Sequence, residues 1–182
     1  QIYDKKLDRL RDVQYKDFTI LLDRSTNFDL YKKIFQYFSI PLTKNTATNL
    51  TEENEIILIK NIIKLLINRK ENNYDVEFNY AYTSIARSYL FEMNDQEVFD
   101  NITNKKYDSK LLDVVDSIVE NIDKLSLVEI IYEIIKKFNF YSKFILIGDI
   151  NNRINRITSI IELIENLSSI NYSIYDLYDY LD

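Results

Sequence analysis

Apolar residues recur at helical spacing along most of the chain. In FDLYKKIFQYF, residues 28–38, they return every three or four positions, which is the period of an amphipathic helix. The same period predicts helices in 52–66, 75–91, 109–124, 127–138 and 151–167. Helix-start signals precede several of these elements or open short further ones. These signals are Thr51, Asn94 with Glu97, Ser126 with Glu129, and Ser173 with Asp176.

The segment before the first of these helices has a different pattern. Residues 18–22 form a short continuous apolar run, which predicts a buried strand. Pro41 ends the following helix and disfavours helical backbone at Ile40, so a second, parallel strand is expected at about 40–43. Strand, helix and strand together predict a small βαβ element near the N-terminus. Residues 1–16 are polar without a clear period and predict a connector or a weak hairpin.

Composition supports a mostly α fold. The 182 residues suffice for one domain or two small ones, and 46% of them are hydrophobic. There is one glycine, where average usage of about 7% would give roughly a dozen. Because sandwiches and barrels need many tight turns, this scarcity favours helices. We expect a helical array after the βαβ element, with Gly148 as a left-handed residue ending one helix.

The residue inventory excludes several kinds of chemistry. The chain has no cysteine and no histidine, so thiolate nucleophiles, the common zinc sites and histidine-dependent catalysis are excluded. A net charge of −6 gives no general attraction for nucleic acid, and any such contact needs a local basic patch. No apolar run approaches the roughly 18–20 residues of a membrane helix, and no signal peptide is visible. Since the chain begins at Gln1, we expect a piece of a longer protein.

Two groups of carboxylates are candidates for metal binding or acid–base chemistry. The first has helical spacing near the C-terminus, and the second lies at a predicted helix start. Their members are Asp176, Asp179 and Asp182, and Glu52, Glu53 and Glu55. A solvated face or a favourable helix N-terminus explains both equally simply, and we favour that interpretation. We predict no catalytic residue and no metal site in this chain.

Aromatic and basic residues supply two further candidates. Four tyrosines near the C-terminus could stack on bases, or could pack as an amphipathic edge: Tyr172, Tyr175, Tyr178 and Tyr180. Four basic residues near the N-terminus could contact phosphate: Lys5, Lys6, Arg9 and Arg11. Acidic neighbours at Asp4, Asp8 and Asp12 cancel most of the field of these cations. In both groups the structural interpretation is favoured.

Arg24 is the most specific candidate for a ligand contact. It follows the predicted strand 18–22, and the carboxyl ends of parallel strands are where α/β folds bind phosphate. The chain has no glycine-rich phosphate loop. We therefore expect that it cannot act as an ATPase by itself.

Three motifs in order resemble UvrD-type superfamily 1 DNA helicases, most of all the AddA subunits of ATP-dependent helicase/nucleases. The first is YDKK…RDVQYKDFTILLDRSTNFDLYKKIFQYFSIPL, residues 3–42, which is similar to the region of motif IV. The second is FNYAYTSIARSYLFEMNDQEVF, residues 78–99, with Arg87, Ser88, Leu90, Asp95 and Glu97 matching. The third runs from residue 138 to the end, with Tyr141, Gly148, Arg153, Ile157, Leu177 and Leu181 matching.

This resemblance implies an architecture and a function. Residues 1–92 would be part of the RecA-like domain 2A, and residues 93–182 a helical 2B-type accessory domain. The longer protein would be a cytoplasmic ATP-dependent helicase and exonuclease that processes DNA ends for recombinational repair. It would use ATP and Mg²⁺, neither of which this portion would hold as a cofactor. Its partners would be DNA and a second helicase/nuclease subunit, with Arg24 as the motif IV nucleotide contact.

A second hypothesis belongs to a different class. The composition is also typical of self-contained helical interaction modules, such as divergent viral decoy-like bundles. That hypothesis predicts a continuous helix through residues 18–25, whereas the helicase hypothesis predicts a parallel strand there.

Overall fold

The computed structural model describes residues 1–4, 8–21, 27–42 and 50–181. It divides into two compact units, Gln1–Ala47 and Thr48–Asp182. In the described part, no helix is both long enough and apolar enough to span a membrane.

The first unit contains a β-hairpin and one helix. Strands β1 (Ile2–Asp4) and β2 (Arg9–Arg11) pair antiparallel, with Tyr3 opposite Leu10. A short 3-10 turn follows at Tyr15–Asp17, and helix α1 spans Phe28–Tyr37. The hairpin predicted as one alternative for residues 1–16 and the helix predicted for 28–38 are both confirmed.

The mostly helical class with a small N-terminal sheet is also confirmed, but the strands are not the predicted ones. Residues 18–21 and 40–42 have no regular secondary structure, so the parallel pair is wrong for them, while 22 and 43 lie outside the described residues. An apolar run becomes a strand only where a neighbour accepts its backbone hydrogen bonds and covers its side chains. Within the described residues no strand does so, and Phe18 and Leu21 are 69% and 90% exposed.

The second unit is an array of eight helices within the described residues. They are α2 (Asn54–Lys70), α3 (Val76–Arg87), α4 (Asp95–Thr103), α5 (Ser109–Val119), α6 (Leu127–Lys137), α7 (Phe140–Ile147), α8 (Ile150–Ser169) and α9 (Ile174–Leu181). Short 3-10 turns lie at Leu50–Glu52 and Ile122–Lys124. The predicted division between residues 92 and 93 refers to the whole helicase architecture and stays a prediction. Here α3 and α4 pack against each other on either side of it.

Helix α2 lies at the centre of this unit. Its apolar residues point to all sides, and helices α3, α5, α6, α8 and α9 pack around it. Ile59, Ile62 and Leu66 are inaccessible to solvent. A helix that is apolar all round is stable in water only when other elements surround it, which explains this arrangement.

The helix ends follow local signals in most cases. The capping boxes of Asn94 with Glu97 and of Ser126 with Glu129 are confirmed. Thr51 is not a cap, because it lies in the 3-10 turn and α2 begins after Glu53. Gly148 follows α7 with φ of +79°, a conformation that favours glycine, but its ψ of −176° lies outside the predicted left-handed helical region.

We expect Ser126→Ala to lower the free energy of unfolding by about 1 kcal/mol, a typical value for a lost N-cap. The Ser126 hydroxyl accepts a hydrogen bond from the Glu129 amide at 3.3 Å, and the Glu129 carboxylate accepts one from the Ser126 amide at 2.8 Å. Urea denaturation followed by circular dichroism measures the change. Ser142→Ala, at an exposed position inside α7, is the control, and an equal effect of both would contradict the capping role.

Candidate functional site

Two long-range ion pairs join the beginnings of α2 and α8. Glu55 in the first turn of α2 is completely buried, and its carboxylate binds the guanidinium groups of Arg153 and Arg156 on α8. The Arg156 Nη1 lies 3.2 Å from Glu55 Oε2, and its Nη2 lies 3.0 Å from Glu53 Oε2. These four residues are called the α2–α8 ionic cluster below. Breaking a buried ion pair is costly, so the cluster fixes α8 against α2.

Aromatic rings enclose one side of the ionic cluster. The Arg153 guanidinium lies 5.9 Å from the ring centres of Tyr89 and Phe144, and its Nε donates to the Gly148 carbonyl at 2.9 Å. The Tyr89 hydroxyl is buried and has no hydrogen-bond partner among the described residues. Burial raises the pKa of this phenol, and the nearby Glu55 carboxylate adds to the effect, so it stays neutral.

The ionic cluster leaves no free carboxylate for catalysis or metal binding. The guanidinium groups occupy the oxygens of Glu55, and Arg156 pairs with Glu53. The Glu52 side chain lies outside the described residues. No group of acidic, histidine or cysteine residues within the described residues could hold a metal ion. For Glu53 and Glu55, the geometry supports the structural interpretation.

The C-terminal carboxylates and tyrosines are dispersed rather than assembled. Asp176 caps α9, where the hydrogen bonds from the Ser173 hydroxyl and amide lower its pKa. The Tyr175 hydroxyl donates to Glu71 at 3.0 Å, and the Tyr178 ring lies 4.5 Å from the Lys64 ammonium. These tyrosines therefore form no shared stacking surface. Of the other candidates, Tyr172 is half-buried, Tyr180 and Asp179 are exposed, and Asp182 lies outside the described residues.

The N-terminal basic group is partly neutralised. Arg11 donates to Asp4 at 2.7 Å and to both carboxylate oxygens of Asp17 at 2.6 and 2.7 Å. The hydrogen bond from Arg11 holds the pKa of Asp17 well below its usual range. Arg9 is exposed, whereas Lys5, Lys6 and Arg24 lie outside the described residues. The nucleotide contact expected of Arg24 therefore stays a prediction.

The second sequence motif forms the connection between α3 and α4. Arg87 Nε lies 2.7 Å from the Asp95 carboxylate. The Ser88 hydroxyl donates to the Ile85 carbonyl at 2.7 Å and accepts from the Leu90 amide at 3.2 Å. Leu90 is buried. Of the third motif, Gly148 and Arg153 belong to the surroundings of the ionic cluster, and three members are buried in the core, Ile157, Leu177 and Leu181.

Two shallow grooves lie on the surface of the second unit. One of about 460 Å³ follows the outer face of α3 and is lined by Tyr80, Thr83, Ser84, Arg87 and Ser88. The other, of about 370 Å³, lies beside Arg69, whose guanidinium binds both carboxylate oxygens of Asp116 at 2.6 and 2.8 Å. The Arg69 pair joins α2 to α5 and leaves that groove without a free cation from this side chain.

Neither the ionic cluster nor the α3 groove follows from the motifs. Glu55 and Arg153 are 98 residues apart, so no local pattern pairs them. The available signal is a carboxylate inside the otherwise apolar run of α2. For the groove, the signal is a polar stripe that alternates with the apolar stripe of α3.

Comparison with known proteins finds distant similarity to one kind of protein, the AddA subunit of ATP-dependent helicase/nucleases. The chain is 26% identical over 98 residues to this protein from Bacillus cereus (strain AH820) and from Bacillus thuringiensis (strain Al Hakam). It is 27% identical over 97 residues to that of Bacillus mycoides (strain KBAB4). The matches cover 54% and 53% of this chain and 7% of each relative. No protein-family model and no solved structure matches.

This similarity agrees with the resemblance noted in the sequence, at the level of the helicase/nuclease family. It extends over about half of the chain, and the chain spans a small part of the length of these relatives. The chain is thus a mostly helical protein with distant similarity to AddA-type ATP-dependent helicase/nucleases.

Proposed function

We propose that this chain is a portion of an ATP-dependent DNA helicase/nuclease that processes DNA ends for recombinational repair. The similarity to AddA over 98 residues is the observation that supports this most directly. Within the longer protein, residues 1–92 would belong to domain 2A and residues 93–182 to the helical domain 2B. The portion itself would serve as structure and as a contact surface for DNA or a second helicase/nuclease subunit.

Exposed apolar side chains in the first unit support an origin in a larger domain. None of the described residues between 1 and 42 is buried. Leu21, Tyr37 and Phe38 are 90%, 83% and 64% exposed, although residues of these types are usually covered in a complete domain. A RecA-like sheet contributed by other parts of the longer protein would cover such residues.

Nucleotide chemistry belongs to the longer protein in this proposal. ATP and Mg²⁺ would bind at a phosphate loop outside this chain, and Arg24 would approach the nucleotide from domain 2A. ATP-driven closure of the cleft between two RecA-like domains would then move single-stranded DNA.

We expect the purified chain to show no ATPase activity and no duplex unwinding. The reason is that its sequence has no glycine-rich loop to hold the phosphates. A phosphate-release assay with and without single-stranded DNA measures this, and Arg24→Ala serves as the matched variant. DNA-stimulated hydrolysis that disappears in Arg24→Ala would overturn the proposal, because the chain would then be an enzyme by itself.

A helical interaction module remains the second candidate. The observation in its favour is that residues 18–21 and 40–42 do not form the parallel pair expected of domain 2A. Against it, residues 18–21 are not helical either, as this candidate predicted. The coding sequence around the chain separates the two candidates, because only the helicase requires a phosphate loop in the same reading frame.

A further inference from the structure

Helix α3 has a polar outer face opposite its buried face. Phe78, Tyr82 and Ile85 lie on the inner face and are inaccessible to solvent. The residues of the outer face follow the spacing i, i+3, i+4, i+7 and i+8, so they form one continuous line. They are Tyr80, Thr83, Ser84, Arg87 and Ser88, which line the groove of about 460 Å³ and are called the α3 strip below.

The α3 strip combines an exposed ring with hydrogen-bonding groups. Tyr80 is 65% exposed. The Ser84 Oγ accepts from the buried Asn61 amide at 2.8 Å, so its hydroxyl proton remains available for a ligand. The Thr83 hydroxyl donates to the Asn79 carbonyl at 2.7 Å, and its oxygen can still accept.

Two exposed ion pairs flank the α3 strip. Lys64 on α2 lies 3.5 Å from Glu77 at one end, and Arg87 lies 2.7 Å from Asp95 at the other. The carboxylates are 58% and 78% exposed, and ion pairs of this kind are weak in water. A phosphate group can therefore replace either carboxylate as the partner of the cation. Residues 77 and 87 are about 15 Å apart along the helix axis.

We propose that the α3 strip binds a short stretch of single-stranded DNA, with a base stacked on Tyr80 and phosphates beside Arg87 and Lys64. The inference rests on the proposed function, since a DNA-processing protein meets such strands. Aromatic rings and cations along a groove are the usual elements of single-strand binding. A duplex offers no free base face to Tyr80, and the strip has no exposed aliphatic anchor of the kind that protein partners use.

The charge of the second unit shapes this binding. Residues 48–182 contain fourteen basic and twenty-three acidic residues, so the unit repels DNA at long range. Affinity must therefore come from stacking and from the two flanking cations. With so few phosphates neutralised, the slope of log affinity against log salt should be shallow, about −0.7 for each phosphate contact.

Fluorescence anisotropy with a labelled oligothymidylate and the full chain tests the proposal. We expect Tyr80→Ala and Arg87→Ala each to weaken binding roughly fivefold or more, the usual range for a stacked base and a charge contact. Tyr80→Phe keeps the ring and should retain binding. Asp95→Asn removes the competing carboxylate and should strengthen binding, whereas Arg87→Ala should also flatten the salt slope by about 0.7.

Matched controls separate the α3 strip from other surfaces. Tyr132→Ala removes an exposed tyrosine from α6, and Lys110→Ala an exposed lysine from α5; neither should change the affinity. An abasic oligonucleotide should bind more weakly and lose its dependence on Tyr80. Absence of binding by the unaltered chain would overturn the inference. So would binding that the strip variants leave unchanged and that Arg9→Ala abolishes, since the DNA would then lie on the N-terminal unit.

Two other results concern the ligand class. Equal binding of polyglutamate would show a general anion site and overturn the assignment to DNA. Failure of the strip variants leaves the proposed function standing, because that function is tested by the coding sequence and not by this surface.

Discussion

Glu55→Gln is expected to lower the free energy of unfolding of residues 48–182 by about 3 kcal/mol, the lower end for breaking a buried ion pair. Glu55 is completely buried, and its carboxylate is the shared partner of Arg153 and Arg156. Glutamine keeps the size of the side chain but not the charge, so two guanidinium groups that are only 17% and 24% exposed lose their counterion. Urea denaturation followed by far-ultraviolet circular dichroism measures the change.

Glu162→Gln is the matched control for this variant. Glu162 lies on α8 like the two arginines but is exposed, so the same change should alter stability by less than about 0.5 kcal/mol. A double variant, Glu55→Gln with Arg153→Met, should recover part of the loss, because it removes one of the unpaired charges. Equal effects of Glu55→Gln and Glu162→Gln would show that the ionic cluster does not hold α8 on α2.

Phe78→Ala is expected to destabilise the same unit by about 3–5 kcal/mol, the usual cost of removing a buried aromatic ring. Phe78 is inaccessible to solvent on the inner face of α3. Its ring centre lies 4.9 Å from those of Tyr74 and Tyr107 and 6.4 Å from that of Tyr82. The alanine variant therefore leaves a cavity among three rings that cannot all move into it.

Phe99→Ala provides the comparison for Phe78→Ala. Phe99 is 62% exposed on α4, so the same change removes little buried area. Both variants are measured by thermal and urea denaturation. A Phe78 variant as stable as the Phe99 variant would contradict the packing of α3 against the core.

Much of the fold could be predicted because its signals are local. The period of apolar residues identifies α1 and the helices of the second unit, and capping residues fix several of their starts. Hydrogen bonds within four residues determine these features, so a short window of sequence contains the information. The low glycine content indicated the mostly helical class for the same reason.

Contacts between distant residues could not be predicted in the same way. Residues 18–22 have strand-like composition, but a strand also requires a partner, and a short window does not show whether one exists. The strands of the sheet are instead β1 and β2, in a polar stretch with little periodic signal. Similarly, nothing near Glu55 indicates that Arg153 and Arg156 neutralise it from 98 and 101 residues away.

The candidate site residues divide along the same line. The structural interpretation of the carboxylates and C-terminal tyrosines was inferable from helix positions alone. The α3 strip was not inferred, because Arg87 and Ser88 drew attention only as parts of a motif. Its outer face becomes visible once Tyr80 and Ser84 are placed on the same side of α3.

The complete reading frame that encodes this chain tests the central claim most directly. If the chain is a portion of a helicase/nuclease of this family, the same frame encodes a Gly-x-Gly-Lys-Ser/Thr phosphate loop several hundred residues upstream. Sequencing the gene or its transcript gives the answer. A frame that encodes no such loop would contradict the proposal and favour an independent helical interaction module.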